Sequence, residues 1–352
     1  MTTLQLDGTK LHHHMEAVAA WMRGETVYPI LLEINPTKAC NHACLFCAYD
    51  YIERQAVFLD VARTKALLEE MKGLGTKALF YSGEGEPLLH KGLPDLIEAA
   101  AALGYDQALN TNGSPLTAKV IERVVPHMSF IRCSVNGTDA QDYARVHRVP
   151  PEHYRSVLSN LEAVVAFKRA NPGLETTLGV QFVYLGQPVE DVIAMAARLR
   201  DLGVDYLSVK QYNEHPFNDY RVGKPLPPPE AFEQVRALAT ERFHVTVRVG
   251  LREQDWVRPY KSCLALPFFA ELMPDGEVYA CGPHLNEKPF CYGNIHDGDF
   301  KTMWSKEGRA KVECHVQGIE NLDDVCMPHC RLDQVNRFLW SLKNPPDHVN
   351  FI

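Results

Sequence analysis

The sequence predicts an α/β fold: a partial (β/α)6 TIM-like barrel followed by a small cysteine-rich C-terminal domain. Three observations predict it. Strand-like and helix-like segments alternate six times between residues 28 and 215, the pattern of parallel strands with outer helices. The rhythm breaks at "GKPLPPPE", residues 223–230, where consecutive prolines favour an extended chain. From about residue 260 the character changes to cysteines, turns and short strands.

Taken in order, residues 1–27 read as a helical extension. Its helix carries Val18, Trp21 and Met22, and the run His12, His13, His14 starts it rather than binding metal. The barrel then occupies residues 28–222. Its strands are "YPILLEIN", "KALFYSG", "QALNTNG", "SFIRCSVNG", "ETTLGVQFVYL" and "VDYLSVKQY". Between them run the helices "DVARTKALLEEMKGLG", stopped by Gly75, then "LPDLIEAAAALG", "TAKVIERVV", "EHYRSVLSNLEAVVAFKRA" and "VEDVIAMAARLRDLG". Six units suit an open barrel better than a closed eight-stranded one. Residues 223–259 read as a linker with one helix, "EAFEQVRALATE", and one strand, "HVTVRVG". Residues 260–352 form the second domain, closed by the helix "LDQVNRFLWSLK".

Bulk properties exclude several classes. A net charge of −8 with no long basic run argues against a nucleic-acid partner. No stretch approaches eighteen unbroken apolar residues, so no membrane span is expected. The N-terminus lacks the basic-then-apolar shape of a signal peptide. With ten cysteines, this predicts a reducing, cytoplasmic setting in which clustered thiols bind metal.

Three of those cysteines stand in "NPTKACNHACLFCAYDY", residues 35–51, directly after the first strand. Chemistry in parallel α/β folds sits at the carboxyl ends of strands. Structural zinc sites and plain iron–sulfur clusters use four thiolates. Cys40, Cys44 and Cys47 supply three, enough for three irons of a [4Fe–4S] cubane with the fourth iron open. A zinc site would need a further ligand, such as His42. The pattern Cys-x3-Cys-x-aromatic-Cys, completed by Phe46, resembles the radical S-adenosylmethionine (SAM) superfamily. That resemblance implies that SAM chelates the open iron and is cleaved to a 5′-deoxyadenosyl radical, with a reductant such as flavodoxin or ferredoxin as partner. Phe46 is expected to shield the cluster. "YSGEGEPLLH" resembles the family's Gly-Gly-Glu-Pro motif through Gly85, Glu86 and Pro87, with Glu84 replacing the first glycine. Its backbone is expected to take the methionyl ammonium. Asn110 and Asn112 at the third strand, Ser134 and Asn136 on the fourth, and Arg148 in "RVHR" are the polar candidates for the rest of SAM.

The late cysteines resemble the auxiliary-cluster extension of the SPASM/Twitch subgroup. Gly276 precedes Cys281 with four residues between, and "CMPHC" supplies Cys326 and Cys330. "YGNI" and "MWS" also recur in that extension. A full SPASM domain needs a further cysteine where Glu320 stands, so the shorter, single-cluster Twitch form is expected. Cys263, Cys281, Cys326 and Cys330 would ligate a second [4Fe–4S] cluster completely, which suits electron transfer. Cys291 and Cys314 are left over, and Cys133 reads as a buried packing residue.

The short segment before the barrel predicts a small-molecule substrate rather than a leader peptide. The single-cluster form resembles aminocyclitol and sugar dehydrogenases, which implies oxidation of a secondary alcohol. Gln181, Lys210, Tyr212, Glu214 and His215 are the candidates at the mouth. Epimerisation with Cys291 as hydrogen donor, peptide maturation, and plain electron transfer are the alternatives.

Overall fold

The computed structural model describes residues 8–51, 55–214, 218–223, 225–250, 257–327 and 330–351. The chain divides into two units. The larger holds Glu33–Ala66 and Ala78–Leu251; the smaller holds Met1–Leu32, Leu67–Lys77 and Arg252–Ile352. His215 lies outside the described residues.

In the larger unit, which begins within β1 (Leu31–Ile34), the strands follow one another in chain order: β2 (Ala78–Tyr81), β3 (Asp106–Thr111), β4 (Phe130–Ser134), β5 (Thr177–Tyr184), β6 (Tyr206–Gln211) and β7 (His244–Arg248). From β2 to β7 each strand pairs in parallel with the next. Among the described residues β7 does not pair back to β1, so the barrel is open. The register sets two unlike faces. Leu109, Ile131, Cys133, Val180, Leu207 and Val209 share one face and are buried almost completely. Parallel strands bury this face under the crossover helices.

Those helices begin with α1 (Met15–Met22), which precedes the barrel, then α2 (Val61–Gly73), α3 (Leu93–Ala102), α4 (Ala118–Val124), α5 (Ala140–His147), α6 (Glu152–Ala170) and α7 (Val189–Leu202). Three elements differ from the sequence reading. The strand assigned to the linker, β7, joins the barrel sheet beside β6. Helix α5 is an insertion between β4 and α6. It starts at Asp139, whose carboxylate accepts from Gln141 N and Asp142 N at 2.9 and 2.8 Å and so satisfies two open amides. The expected linker helix is reduced to a short α8 (Glu233–Arg236).

The smaller unit carries an antiparallel set, β8 (Phe269–Leu272), β9 (Glu277–Tyr279) and β10 (Cys291–Asn294). With it go α9 (Phe300–Met303), α10 (Lys306–Gln317) and α11 (Asp333–Lys343). Gly276 turns the β8–β9 hairpin at φ +86°, a conformation that favours glycine. The N-terminal segment does not stand apart. Leu11, Val18 and Val27 share a core with Phe268 and with Leu339 of α11. Among the described residues no helix is long and apolar enough to cross a membrane.

Trp304, fully buried, ties this unit together. It stacks on Phe300 with centroids 5.1 Å apart, and its indole N–H donates to Val27 O at 3.0 Å. Trp304→Phe keeps most of the apolar contact and leaves that carbonyl unpaired. We expect a loss of about 1–3 kcal/mol, read as a lower urea midpoint. An unchanged midpoint would show that the hydrogen bond contributes nothing.

Candidate functional site

The three early cysteines lie in residues 35–51, a segment with no helix or regular strand, so its shape comes from its anchors. Asn35 Oδ1 accepts from Glu84 N at 3.0 Å, and Ala39 O accepts from Glu86 N at 2.9 Å. Asn41 bonds Ser114 and Asn112, each at 2.8 Å. Ala43 N and Leu45 N donate to His147 O and Val146 O at the end of α5, at 3.1 and 2.9 Å. Cys47 O accepts from Asn218 Nδ2 at 2.7 Å. The Phe46 ring packs on Val146, Val183, Leu185 and Tyr212. Each hydrogen-bonding anchor comes from a connection that follows a strand of the parallel sheet.

These anchors explain the motif after β2. A Cβ on Gly85 would sit 2.3 Å from Ala39 O and 2.4 Å from Thr37 O, so only glycine lets the two loops touch. Glu86 is buried. Its Oε1 accepts from Thr111 Oγ1 at 2.7 Å and Leu88 N at 3.1 Å, and its Oε2 from Asn112 N at 2.6 Å. Burial pushes its carboxyl up to about 7, against the three donors that favour the ionised form. Pro87 opens the short turn Pro87–Leu89. Asn136, also buried, accepts from Val183 N at 2.7 Å and fixes the end of β5. Arg148 is exposed and ends α5 in the left-handed conformation, φ 52°.

The second face of the sheet is mixed rather than apolar. By register Asn110, Arg132, Ser134, Gln181 and Lys210 share it, each half-exposed. Arg132 Nε donates to Asn110 Oδ1 at 2.7 Å. Arg132 was missed in the sequence reading, although it stands two residues before Ser134 and therefore on the same face. Tyr212 is buried against Phe46 and Tyr220, with its hydroxyl 3.5 Å from Tyr220 O. Glu214 pairs with Arg221.

His147 is the second residue the sequence reading missed. Its Nδ1 lies 3.1 Å from Cys44 Sγ, and its Nε2 accepts from Asn136 N at 3.1 Å. The ring stacks on Tyr143 with centroids 4.1 Å apart and lies 5.2 Å from His42. Burial first, and then the neighbouring His42, push its basicity down to about 3, so it is neutral. His42, Cys44 and His147 form a three-donor set whose ligand atoms all lie within 4.8 Å of one another.

In the smaller unit Cys263, Cys281, Cys326 and Cys330 line one cavity, together with apolar side chains such as Leu266, Phe290 and Leu332. Asn336 Nδ2 donates to Cys263 Sγ at 3.4 Å while its Oδ1 accepts from Leu264 N and Ala265 N. Arg258 donates to Cys326 O at 3.1 Å and Met327 O at 2.7 Å. Burial pushes the Cys263 thiol up to about 12 and that of Cys326 to about 11, and raises Cys281 and Cys330 too. In Cys263 and Cys281 the neighbouring cysteines add to the rise. Thiols raised in this way ionise together only when positive charge stands among them. Cys291 lies outside this lining, with its thiol 3.6 Å from Gly293 O, and Cys314 is exposed on α10.

Glu86→Gln tests the anchor after β2. The amide must point its N–H₂ at Asn112 N or at Leu88 N and Thr111. We expect a loss of about 1–3 kcal/mol in urea unfolding at pH 8; equal stability would show that the carboxylate is not a required acceptor.

Comparison with known proteins agrees with this geometry. Residues 34–199 match the model of the radical SAM superfamily. The chain is 26% identical over 312 residues to the PqqA peptide cyclase of Xanthomonas campestris pv. campestris, covering 84% of this chain and 77% of that one. It is 26% identical over 188 residues to the GTP 3′,8-cyclase of Chlorobaculum tepidum, and spans about half of that protein, 54%. The fold is similar to that of SuiB from Streptococcus suis, solved with its precursor peptide SuiA: TM-score 0.67 at 15% identity, covering 99% of this chain and 82% of SuiB. Residues 34–199 are thus a radical SAM domain.

Proposed function

We propose that this is a two-cluster radical SAM oxidoreductase that oxidises a secondary alcohol of a polar small molecule of the carbohydrate, aminocyclitol or nucleoside class. One observation carries the reading: four cysteines from distant positions line a single cavity, with Cys291 and Cys314 outside it. Four thiolates saturate a [4Fe–4S] cluster and leave no open iron, which suits electron transfer. Cys40, Cys44 and Cys47 hold the first cluster in this reading. When bound, the first cluster and SAM supply a hydrogen-abstracting 5′-deoxyadenosyl radical, and the second cluster a one-electron sink.

The chain's own residues do the rest. To become a ketone the alcohol must lose a hydrogen atom, a proton and an electron. The half-exposed row of Asn110, Arg132, Ser134, Gln181 and Lys210 supports a polar, hydroxylated substrate, because an apolar one would strip water from these groups without replacing their hydrogen bonds. Gln181 and Lys210 are assigned to the substrate hydroxyl, and Asn112, Ser134 and Arg148 to the SAM side. Phe46 keeps the cluster loop closed from within. A second reading, peptide maturation, is favoured by the similarity to the PqqA peptide cyclase over most of both chains.

Anaerobic reconstitution should yield about eight irons per chain; four irons, or zinc in the second site, contradicts the proposal. Cys44→Ala should abolish formation of 5′-deoxyadenosine. Cys281→Ala should retain cleavage of SAM yet give no oxidised product, and equal loss in both folded variants would deny the division of labour.

Substrate class is tested with candidate alcohols and with peptides encoded beside the gene. A carbonyl product with SAM consumed once per turnover is expected. Modification of a peptide, with no carbohydrate turned over, would favour the second reading.

A further inference from the structure

Among the described residues, His42, Cys44 and His147 are a compact three-donor set, which raises the question of a mononuclear metal there. The hydrogen bonds answer it. The backbone N–H of Asn136 points at His147 Nε2 from 3.1 Å, so that nitrogen offers its lone pair and carries no proton. A neutral imidazole then bears its proton on Nδ1. Nδ1 therefore has no lone pair for a metal. It has an N–H, and Cys44 Sγ lies 3.1 Å away. Ligation through Nδ1 would put a proton on Nε2, directly against the Asn136 N–H.

We propose that His147 is a positioning residue that donates its Nδ1–H to the Cys44 thiolate and so stabilises the reduced form of the SAM-binding cluster. The inference rests on the reading above that Cys44 is a ligand of that cluster. Its physics is simple. Adding an electron makes the cluster sulfurs more negative, and a donor already aimed at one of them bonds the reduced state more strongly. Hydrogen bonds to the sulfurs are one of the levers that set cluster potentials. The donor is held for this purpose. Tyr143 stacks on its ring, Asn136 fixes its tautomer, and its own carbonyl binds Ala43 N next to the cysteine. These backbone bonds survive side-chain substitution, so the thiolate contact is separable from loop docking.

The test uses the anaerobic enzyme with both clusters loaded. Its readout is the midpoint potential of the electron paramagnetic resonance signal that shifts on adding SAM. His147→Gln reaches the Nε2 position and can still accept from Asn136, but places no donor at Cys44. It should lower the equilibrium constant for reduction roughly tenfold, about 59 mV for one electron. His147→Asn puts an amide N–H near the Nδ1 position and should recover most of the shift. A potential unchanged in the Gln variant, or equally shifted in both, overturns the proposal. Wild-type enzyme without SAM gives a variant-free check. Its reduced first cluster should show an exchangeable proton coupling, and a nitrogen coupling that changes with 15N-histidine; absence of both overturns the proposal. Failure of the underlying reading looks different. The SAM-responsive signal would then persist in Cys44→Ala.

Discussion

The site depends on holding a loop that has no secondary structure and one ligand too few. Three cysteines in an irregular segment cannot define a cluster site by themselves, because each irregular residue carries a conformational entropy of roughly 1–2 kcal/mol. The larger unit meets this with backbone hydrogen bonds from three directions. The turn after β2 grips Ala39 O, the end of α5 takes the amides of Ala43 and Leu45, and Asn218 takes Cys47 O. A mononuclear site would be rigidified by its fourth ligand. In the proposed reading that position stays open for SAM, and the protein supplies the rigidity instead.

The parallel sheet makes such a grip available. Strands that all point one way deliver their following loops to one edge, and six loops can then touch one segment. This also accounts for residues that carry the family resemblance yet are occupied elsewhere. Glu86 uses both carboxylate oxygens on Thr111, Asn112 and Leu88, so it links the turn after β2 to the end of β3. Asn136 links β4 to β5 and to His147. Gly85 is a point of contact with the cysteine loop. These positions act on the cofactor site chiefly by fixing the edge on which it is built.

The regular part of this design was legible in the sequence. Six strand–helix alternations have strong periodic signals, and the strands begin and end within a few residues of the expected segments. The irregular part was not. Helix α5 is eight residues long and follows "VNGTD", which reads as a loop; its signals were the capping Asp139 and the spacing of Tyr143, Val146 and His147. Overlooking that helix drew attention to the exposed Arg148 instead of its buried neighbour. Asn218 lies in a segment with no periodicity, and nothing local marks it as the partner of Cys47, 171 positions away. β7 was assigned to a linker because the prolines before it break the rhythm, yet its alternating Val245 and Val247 suit a strand that extends the sheet.

The two cysteine groups obey the same electrostatic rule with opposite outcomes. A thiolate in an apolar surround is unfavourable unless a cation or a donor compensates it. In the smaller unit burial raises all four cavity-lining thiols, and Cys263 has Asn336 as its side-chain donor. The backbone at Ala265 and Leu332 and the Arg258 guanidinium offset part of that rise; in the two-cluster reading the metal centre supplies the rest. In the larger unit the three cysteines sit in a polar, half-exposed loop, and Cys44 has an oriented imidazole beside it. A centre that must both bind a substrate-like cofactor and accept an electron gains from polar surroundings, whereas one that only passes electrons is better enclosed. In the two-cluster reading, the difference between the two environments is the physical form of the division of labour between an open and a closed cluster.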